Sequence, residues 1–215
     1  MPGTLLWSAM DRSLHRYGAR FDGWALAWAP AAVPAPVPPD AQPVSATTGL
    51  EYVLRGRARR VPVGIIGPRE ATPAQLALAE ALGARLGEIG LQLLCGGRGG
   101  VMEAACKGNL EAGGSPIGLL PDTEWDAANP YVAIPIATGI GQARNALIAR
   151  ACLVLVAVGG GYGTLSEMAF GLHFDRLVLT LDKAPAVDGA VACASVDEAM
   201  DRIADHLLRP AVSVS

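Results

Sequence analysis

The sequence predicts an α/β fold in which a mainly parallel sheet is covered by helices on both faces. From Val61 onward, short apolar runs alternate with segments of helical periodicity. The runs are apolar throughout, which is typical of strands buried on both faces. Three of them end in glycine where the next helix begins. Right-handed crossovers then place helices on both sides of the sheet, which gives a Rossmann-like three-layer sandwich.

The elements of this predicted sandwich follow one another in a regular order. "VPVGIIG" predicts the first strand, and "TPAQLALAEALGARLGEIG" predicts a helix with a capping box between Thr72 and Gln75. Further strands are predicted at "LQLLCGG", "SPIGLLP", "YVAIPIAT", "CLVLVAV" and "RLVLTLD". Helices are predicted at "VMEAACKGNLEAGG", at "GQARNALIARA", from Thr164 onward, and from the Ser195 cap to about Arg209.

The sequence pattern changes near residue 60, from a segment rich in Pro and Trp to regularly spaced strands and helices. This change predicts an N-terminal extension over 1–60 and the Rossmann-like domain over 61–210. Six prolines between Pro30 and Pro43 predict an extended connector. Trp7, Trp24 and Trp28 precede it, and we expect this arm to pack on its own body or on a neighbouring subunit or partner, with disorder as the alternative. "RGRARR", residues 55–60, is either a solvated run or an anion-facing edge.

Composition excludes several classes of function. The formal net charge of −3 argues against general nucleic-acid binding. No apolar run approaches the ~20 residues of a membrane span, and the N-terminal residues lack a charged region followed by an apolar stretch, so we expect a cytoplasmic protein without membrane contact. The four cysteines sit in apolar contexts, which favours buried reduced thiols. The three histidines have no metal-ligand spacing, so no metal site is expected.

The glycines fall where strands end and helices begin, in three loops: "GPRE" at 67–70, "GGRGG" at 96–100 and "GGGYGT" at 159–164. In a parallel sheet these turns share the carboxyl edge. Glycine lets a ligand touch the main chain, and the following helix presents unpaired N–H groups and partial positive charge. The loops therefore predict a pocket for an anion, most simply a phosphate, beside room for a flat group. The Gly-x-Gly-x-x-Gly and Gly-Lys-Ser/Thr motifs are absent, which argues against an ordinary NAD or ATPase site.

Two charged residues are candidates for catalysis or ligand binding in this pocket. Glu167 is predicted in the first turn of its helix, where the dipole favours its ionised form and a role as base or stabiliser of positive charge. Arg144 is predicted in an early helical turn, where it opposes the dipole and gains from a bound anion. The alternatives are a glutamate that merely complements the dipole and an arginine solvated at the surface.

"GGGYGTLSE", residues 159–167, resembles the Pro-Gly-Gly-x-Gly-Thr-x-x-Glu signature of the Lonely guy (LOG), or lysine decarboxylase-like, family. Arg144 precedes Gly160 by the interval found in that family, and "CGGRGGVMEAACKGNLEAGG" resembles its second glycine loop. "ANPYVAIPIATGIGQARNALIARACLVLVAVGGGYGTLSE" is more closely similar to the branch related to molybdenum-cofactor carrier proteins. The resemblance covers about residues 61–182.

The resemblance implies a homodimer or homotetramer that binds a small phosphorylated heterocycle, either a molybdopterin-type cofactor or a nucleotide, and that could carry such a cofactor. No other cofactor is expected to be required. The alternative is a nucleoside 5′-monophosphate phosphoribohydrolase, in which Arg144 would orient the ligand and Glu167 would stabilise the oxocarbenium-like sugar. Gly159 stands where the hydrolases have proline, and Asn145 where they usually have lysine, so the question of catalysis stays open.

The predicted ligand-binding residues come from the three loops and the two charged positions. They are Gly67, Pro68, Arg69, Gly96, Gly97, Arg98, Gly99, Gly100, Val101, Met102, Arg144, Gly160, Gly161, Tyr162, Gly163, Thr164 and Glu167.

Overall fold

A computed structural model describes residues 3–29 and 36–210. The contacts divide the chain into two compact units, Met1–Arg60 with Asp201–Ser215, and Val61–Met200. The domain limits 1–60 and 61–210 stay a prediction, because this division places residues from Asp201 onward with the first unit. The predicted connector at 30–35 lies outside the described residues.

The N-terminal unit contains an antiparallel sheet and one helix. Its elements are β1 (Leu6–Ser8), β2 (Ser13–Arg16), β3 (Ala19–Asp22), β4 (Ala27–Trp28), β5 (Gln42–Pro43) and α1 (Ala46–Leu54). The strands are arranged in the order β4-β3-β2-β1-β5. Tyr17 and Gly18, which join β2 to β3, both have positive φ (52° and 74°), as a two-residue hairpin turn requires.

The tryptophans of this arm pack within the same unit. The rings of Trp7 and Tyr52 lie 5.1 Å apart, and the Trp28 indole N–H donates to the Leu208 carbonyl at 2.8 Å. Leu14 and Leu50 are fully buried in its core. The sequence analysis did not predict this sheet, and it placed Gln42–Pro43 in a connector. Pro43 is compatible with β5 because that strand lies at the edge of the sheet.

The second unit contains the six predicted strands and a seventh that was not predicted. Its strands are β6 (Val63–Ile66), β7 (Leu93–Cys95), β8 (Ile117–Leu120), β9 (Ile134–Ala137), β10 (Val154–Val158), β11 (Leu177–Leu181) and β12 (Val191–Ala192). Its helices are α2 (Pro73–Ile89), α3 (Val101–Glu111), α4 (Arg144–Ala151), α5 (Tyr162–His173) and α6 (Val196–Leu207), with 3₁₀ turns at Trp125–Ala127 and Gly141–Ala143. The unpredicted strand is β12, and no α-helix lies in the described segments between β8 and β9 or between β11 and β12. The division between the units falls inside α6.

All seven strands of this sheet pair in parallel, in the order β12-β11-β10-β6-β7-β8-β9. The predicted Rossmann-like sandwich is therefore confirmed. β6 and β10 are buried at every position, which explains why their sequences are continuously apolar. The capping box of α2 is also present, because Thr72 and Gln75 exchange their side-chain and main-chain hydrogen bonds.

The strand order fixes where a ligand can enter. The chain runs outward from β6 through β7, β8 and β9, and then returns to the other side of β6 at β10. Neighbouring loops diverge at such a reversal, which leaves a crevice at the carboxyl ends of the two central strands. The loops that follow β6 and β10 are the first and third glycine loops, so both flank this crevice.

Two helix limits differ from the sequence analysis. α5 begins at Tyr162 instead of Thr164, which moves Glu167 into its second turn, and α6 ends at Leu207. All four cysteines are buried free thiols, as predicted. Within residues 3–29 and 36–210, no helix combines the length and apolar content needed to cross a bilayer.

Candidate ligand-binding site

A cavity of about 630 Å³ opens at the crevice between β6 and β10. Its lining comes from the loop after β6, the start of α3, the 3₁₀ turn before α4, the first residues of α4, and the first three turns of α5 with the N-cap. The lining residues are Gly67, Pro68, Arg69, Met102, Gln142, Arg144, Asn145, Gly161, Tyr162, Gly163, Thr164, Ser166, Glu167 and Phe170. Ten of them are among the predicted site residues, and the structure brings these together from four separate segments of the chain.

The N-terminus of α5 faces this cavity with its main chain uncovered. Gly161 is the N-cap, and no side chain caps the helix. A Cβ added at Gly161 or at Gly163 would meet nothing within 4 Å, so a ligand can approach the main chain at both positions. The first N–H groups of a twelve-residue helix and its dipole favour an anion at this place.

Arg144 and Glu167 meet at the floor of the cavity. The Arg144 Nη1 lies 3.3 Å from the Glu167 Oε1, and Nη1 also donates to the Asn145 Oδ1. The two residues are only 4% and 6% exposed. The Arg144 Nε is buried with no partner in the described part of the chain, so this guanidinium retains hydrogen-bonding capacity.

The second glycine loop supports Arg144 instead of lining the cavity. The Arg144 Nη2 donates to the Gly96 carbonyl at 3.5 Å. A Cβ at Gly96 would lie 2.9 Å from the Arg144 Cζ and 2.8 Å from the Met102 Sδ. Glycine is required at this position because the guanidinium packs directly against the main chain.

Burial dominates the electrostatics of this pair. It raises the pKa of Glu167 to about 7, and the attraction of Arg144 offsets only part of that rise. The predicted first-turn position of Glu167 is wrong, because the residue lies in the second turn of α5, and burial opposes the ionised form that the helix dipole was expected to favour. Burial lowers the pKa of Arg144, Glu167 raises it, and the positive charges of Arg69 and Arg98 lower it further.

Asn145 holds the start of α5 in place. Its Nδ2 donates to the Ser166 Oγ at 3.0 Å, and that hydroxyl donates to the Gly163 carbonyl at 2.7 Å. Asn145 is buried and also accepts from Arg144. Where the hydrolases usually have a lysine, this chain therefore has a residue that links α4 to α5. The contribution of Asn145 was not predicted from the sequence.

Gln142, Ser166 and Phe170 were also missed, although a signal for two of them exists. Gly163, Ser166 and Phe170 recur at helical spacing, so they share one face of any helix that begins near the glycines. Gln142 lies in the 3₁₀ turn before α4, where no periodicity marks it.

Six other predicted residues, besides Gly96, do not line the cavity: Gly97, Arg98, Gly99, Gly100, Val101 and Gly160. Arg98 forms an ion pair with Asp122 and donates to the Ala127 carbonyl at 2.9 Å, so its guanidinium is bound to these groups and not to the cavity. Val101 is fully buried. In contrast, Arg69 is exposed at the cavity and is in none of the ion pairs of the described residues.

Gly159 explains one departure from the hydrolase signature. Its φ is +59°, whereas proline is restricted to about −65°. A proline at this position would force the loop after β10 into another path. The Gly159 N–H also donates to the Leu181 carbonyl at 3.1 Å, a bond that proline cannot make.

The sequence from residue 60 to residue 205 matches the model of the SLOG cluster4 family. The chain belongs to this family. An uncharacterized protein of Archaeoglobus fulgidus is 37% identical to this SLOG cluster4 protein over 139 residues, which cover 65% of the present chain and 91% of the relative.

Solved structures place the SLOG cluster4 protein near the molybdenum-cofactor carriers. The molybdenum cofactor carrier protein of Chlamydomonas reinhardtii is 36% identical, with a TM-score of 0.64 over 70% of this chain and 100% of that chain. The molybdenum cofactor binding protein of Rippkaea orientalis is 34% identical, with a TM-score of 0.64 over 67% of this chain and 96% of that chain. The resemblance to the LOG-like superfamily and its carrier branch is confirmed.

Proposed function

We propose that the glycine-loop cavity binds a small phosphorylated heterocycle of the molybdopterin type and that the protein carries or stores this cofactor. The observation that carries the proposal is the uncovered N-terminus of α5, where Gly161 and Gly163 leave the main chain open to a ligand. Of the two solved relatives described above, one is a molybdenum cofactor binding protein and the other a molybdenum cofactor carrier protein.

The charges of the cavity agree with an anionic ligand. Arg69 is exposed at its mouth, and Arg144 has an unpartnered buried Nε at its floor. We assign the phosphate to the N-terminus of α5 and Arg69. We assign the heterocycle to the remaining wall, where Tyr162 is 92% exposed and Phe170 is partly exposed, because exposed rings can stack on a flat ligand.

Hydrolysis of a nucleoside 5′-monophosphate is the second candidate, since Arg144 and Glu167 both line the cavity. The geometry favours the carrier. A carboxyl group that stabilises an oxocarbenium-like sugar must be ionised, and burial raises the pKa of Glu167 to about 7, so this residue is only partly ionised near neutral pH. Its carboxylate is also engaged by Arg144 at 3.3 Å.

The proposal is tested by purifying the full chain from a bacterial host that makes the molybdenum cofactor. We expect native mass spectrometry to detect a bound pterin phosphate, and oxidation of the released ligand to give pterin fluorescence. Arg69→Gln should reduce the occupancy. Arg85→Gln is the matched control, because Arg85 is partly exposed, pairs with Glu88 and lies outside the cavity.

Two results would overturn the proposal. One is protein that contains no pterin after expression in such a host. The other is release of free base and ribose 5-phosphate from AMP by the wild-type protein and not by Glu167→Gln, which would establish the hydrolase instead.

A further inference from the structure

A second cavity, of about 580 Å³, lies within the N-terminal unit, away from the residues matched by the family model. It is bordered by the β2–β3 hairpin, by the end of α1 and by the segment that follows α1. Three arginines line it: Arg12 before β2, Arg20 on β3 and Arg57 after α1. The glycine-loop function uses none of them.

The positive charge around this cavity is only partly compensated. None of the ion pairs in the described part of the chain includes Arg12, Arg20 or Arg57. Asp22 is the only acid in the lining, and its carboxylate accepts from the main-chain N–H groups of Trp24 and Ala25 at 2.7 and 3.0 Å. Arg20 interacts electrostatically with Asp22 and also with Asp11, so the three guanidinium groups of the lining are opposed by two carboxylates and a net positive charge remains.

The net charge of residues 1–60 also favours anion binding. Residues 1–60 contain seven arginines and four acidic residues, a net charge of +3, whereas the rest of the chain carries −6. Such an asymmetry within one chain is typical of a segment that meets an anion. Mutual repulsion of the three arginines is relieved when an anion binds between them.

The cavity also has aromatic and apolar walls that are already fixed in place. Phe21 is buried and contacts Trp28 edge-on, with ring centroids 5.1 Å apart. Tyr52 is held at 5.1 Å from the Trp7 ring. Phe21 is too deeply buried to present a ring face, whereas Tyr52 is only partly buried and can contact a ligand. Because Tyr52 is packed before any ligand arrives, this contact has little entropic cost.

Arg57 is held in position by a neighbouring ring. Its guanidinium lies 5.4 Å from the centroid of the Trp24 ring, and that of Arg59 lies 5.2 Å from the same centroid. The Arg59 N–H donates to the Gly23 carbonyl at 2.9 Å and attaches this segment to the end of β3. The "RGRARR" run is thus partly ordered, and one of its arginines faces a cavity.

We propose that this cavity binds an organic anion that carries a flat ring, of the size of a mononucleotide. Its volume lies within the range of small-ligand sites. The arginines bind the anionic group, and Tyr52 contacts the ring. This site is separate from the glycine-loop cavity and does not depend on the function proposed for it.

The test is calorimetric titration of the full chain with AMP. We expect saturable binding that weakens at least about tenfold in Arg12→Gln/Arg20→Gln/Arg57→Gln, because charge-assisted contacts are lost. Arg55→Gln is the matched control, since Arg55 belongs to the same run but pairs with Glu51. It should change the affinity less than about twofold, within the usual range for an exposed pair. Gly163→Ala, in the other cavity, should leave this binding event unchanged.

The chemistry of recognition is tested with the two parts of the ligand. Adenosine, which lacks the anion, and inorganic phosphate, which lacks the ring, should each bind more weakly than AMP. AMP affinity should fall as NaCl rises from about 50 to about 300 mM, because salt screens exposed charges. The proposal is overturned if AMP does not bind, if the triple variant binds it equally well while circular dichroism shows a native fold, or if adenosine binds as tightly as AMP.

Discussion

Arg144 and Glu167 form a buried pair whose protonation depends on its surroundings more than on its position in a helix. Glu167 contacts Arg144 at 3.3 Å, yet burial raises its pKa to about 7. A carboxyl group with a raised pKa keeps its proton in the folded state after the unfolded chain has released it. Folding is therefore linked to proton uptake at this residue.

This linkage predicts how stability changes with pH. Between the ordinary value of 4.5 and about pH 7, only the folded state holds the Glu167 proton, so its contribution to stability falls as pH rises through this window and is lost above it. Each unit of pKa difference corresponds to about 1.4 kcal/mol. We expect urea unfolding from pH 5 to pH 8 to show a steeper decline in wild type than in Glu167→Gln. Equal slopes would contradict the prediction.

Gly96 determines where the Arg144 guanidinium lies. In Gly96→Ala the new methyl group would collide with Arg144 and Met102, so we expect the free energy of unfolding to drop by about 1–3 kcal/mol, together with weaker ligand binding. Gly99→Ala is the matched control in the same loop, because its Cβ would meet only Glu103, at 3.5 Å. Chemical denaturation compares the two variants, and equal losses would show that Gly96 has no special role.

Neither the burial of Glu167 nor the support of Arg144 by Gly96 could be predicted from sequence alone. The sequence correctly indicates that Arg144 and the glycines lie at strand-to-helix turns. The distance between the loop after β7 and the start of α4 cannot be read from the sequence, because it depends on tertiary packing. For the same reason Arg98 looked like a ligand residue, although Asp122 pairs with it.

In α5, one glycine both destabilises the helix and leaves its main chain accessible to a ligand. Gly163 lies in the first turn of this helix, where glycine is about 1 kcal/mol less favourable than alanine. We expect Gly163→Ala to raise the free energy of unfolding by about 0.5–1 kcal/mol, since its Cβ meets nothing within 4 Å.

The same substitution should weaken ligand binding at the glycine-loop cavity, because the methyl group covers main chain that the ligand would contact. Opposite changes in stability and affinity distinguish this effect from general damage to the fold. Thermal unfolding and pterin occupancy provide the two measurements. An unchanged occupancy would mean that the ligand does not approach α5 at Gly163.

The elements that the sequence predicts well are those with a long periodic pattern. α2 has seventeen residues and a complete capping box, and β10 has five consecutive buried residues. The N-terminal sheet was missed because its short strands mix polar and apolar residues, as in "SLHR" and "ARFD", whereas the predicted strands of similar length are continuous apolar runs. Its hairpin turn is Tyr17–Gly18, which lacks the Asn-Gly or Asp-Gly signal.

The two compact units differ in their optical probes. Trp7, Trp24 and Trp28 belong to the N-terminal unit. Trp125 belongs to the other unit and is 66% exposed, so its emission changes little on unfolding. Tryptophan fluorescence therefore reports mainly on the N-terminal unit, whereas circular dichroism reports mainly on α2 to α5.

The division into two compact units predicts separate unfolding transitions, because cooperative units with many internal contacts respond independently to local damage. Leu155→Ala removes a fully buried side chain from β10 and should destabilise its unit by about 2–5 kcal/mol. We expect the urea midpoint measured by circular dichroism to fall while the fluorescence midpoint stays unchanged. Leu14→Ala, at a fully buried position in β2, is the reciprocal variant and should move only the fluorescence midpoint. If either variant shifts both midpoints equally, the units unfold as one, and a ligand bound in either cavity would stabilise the entire chain.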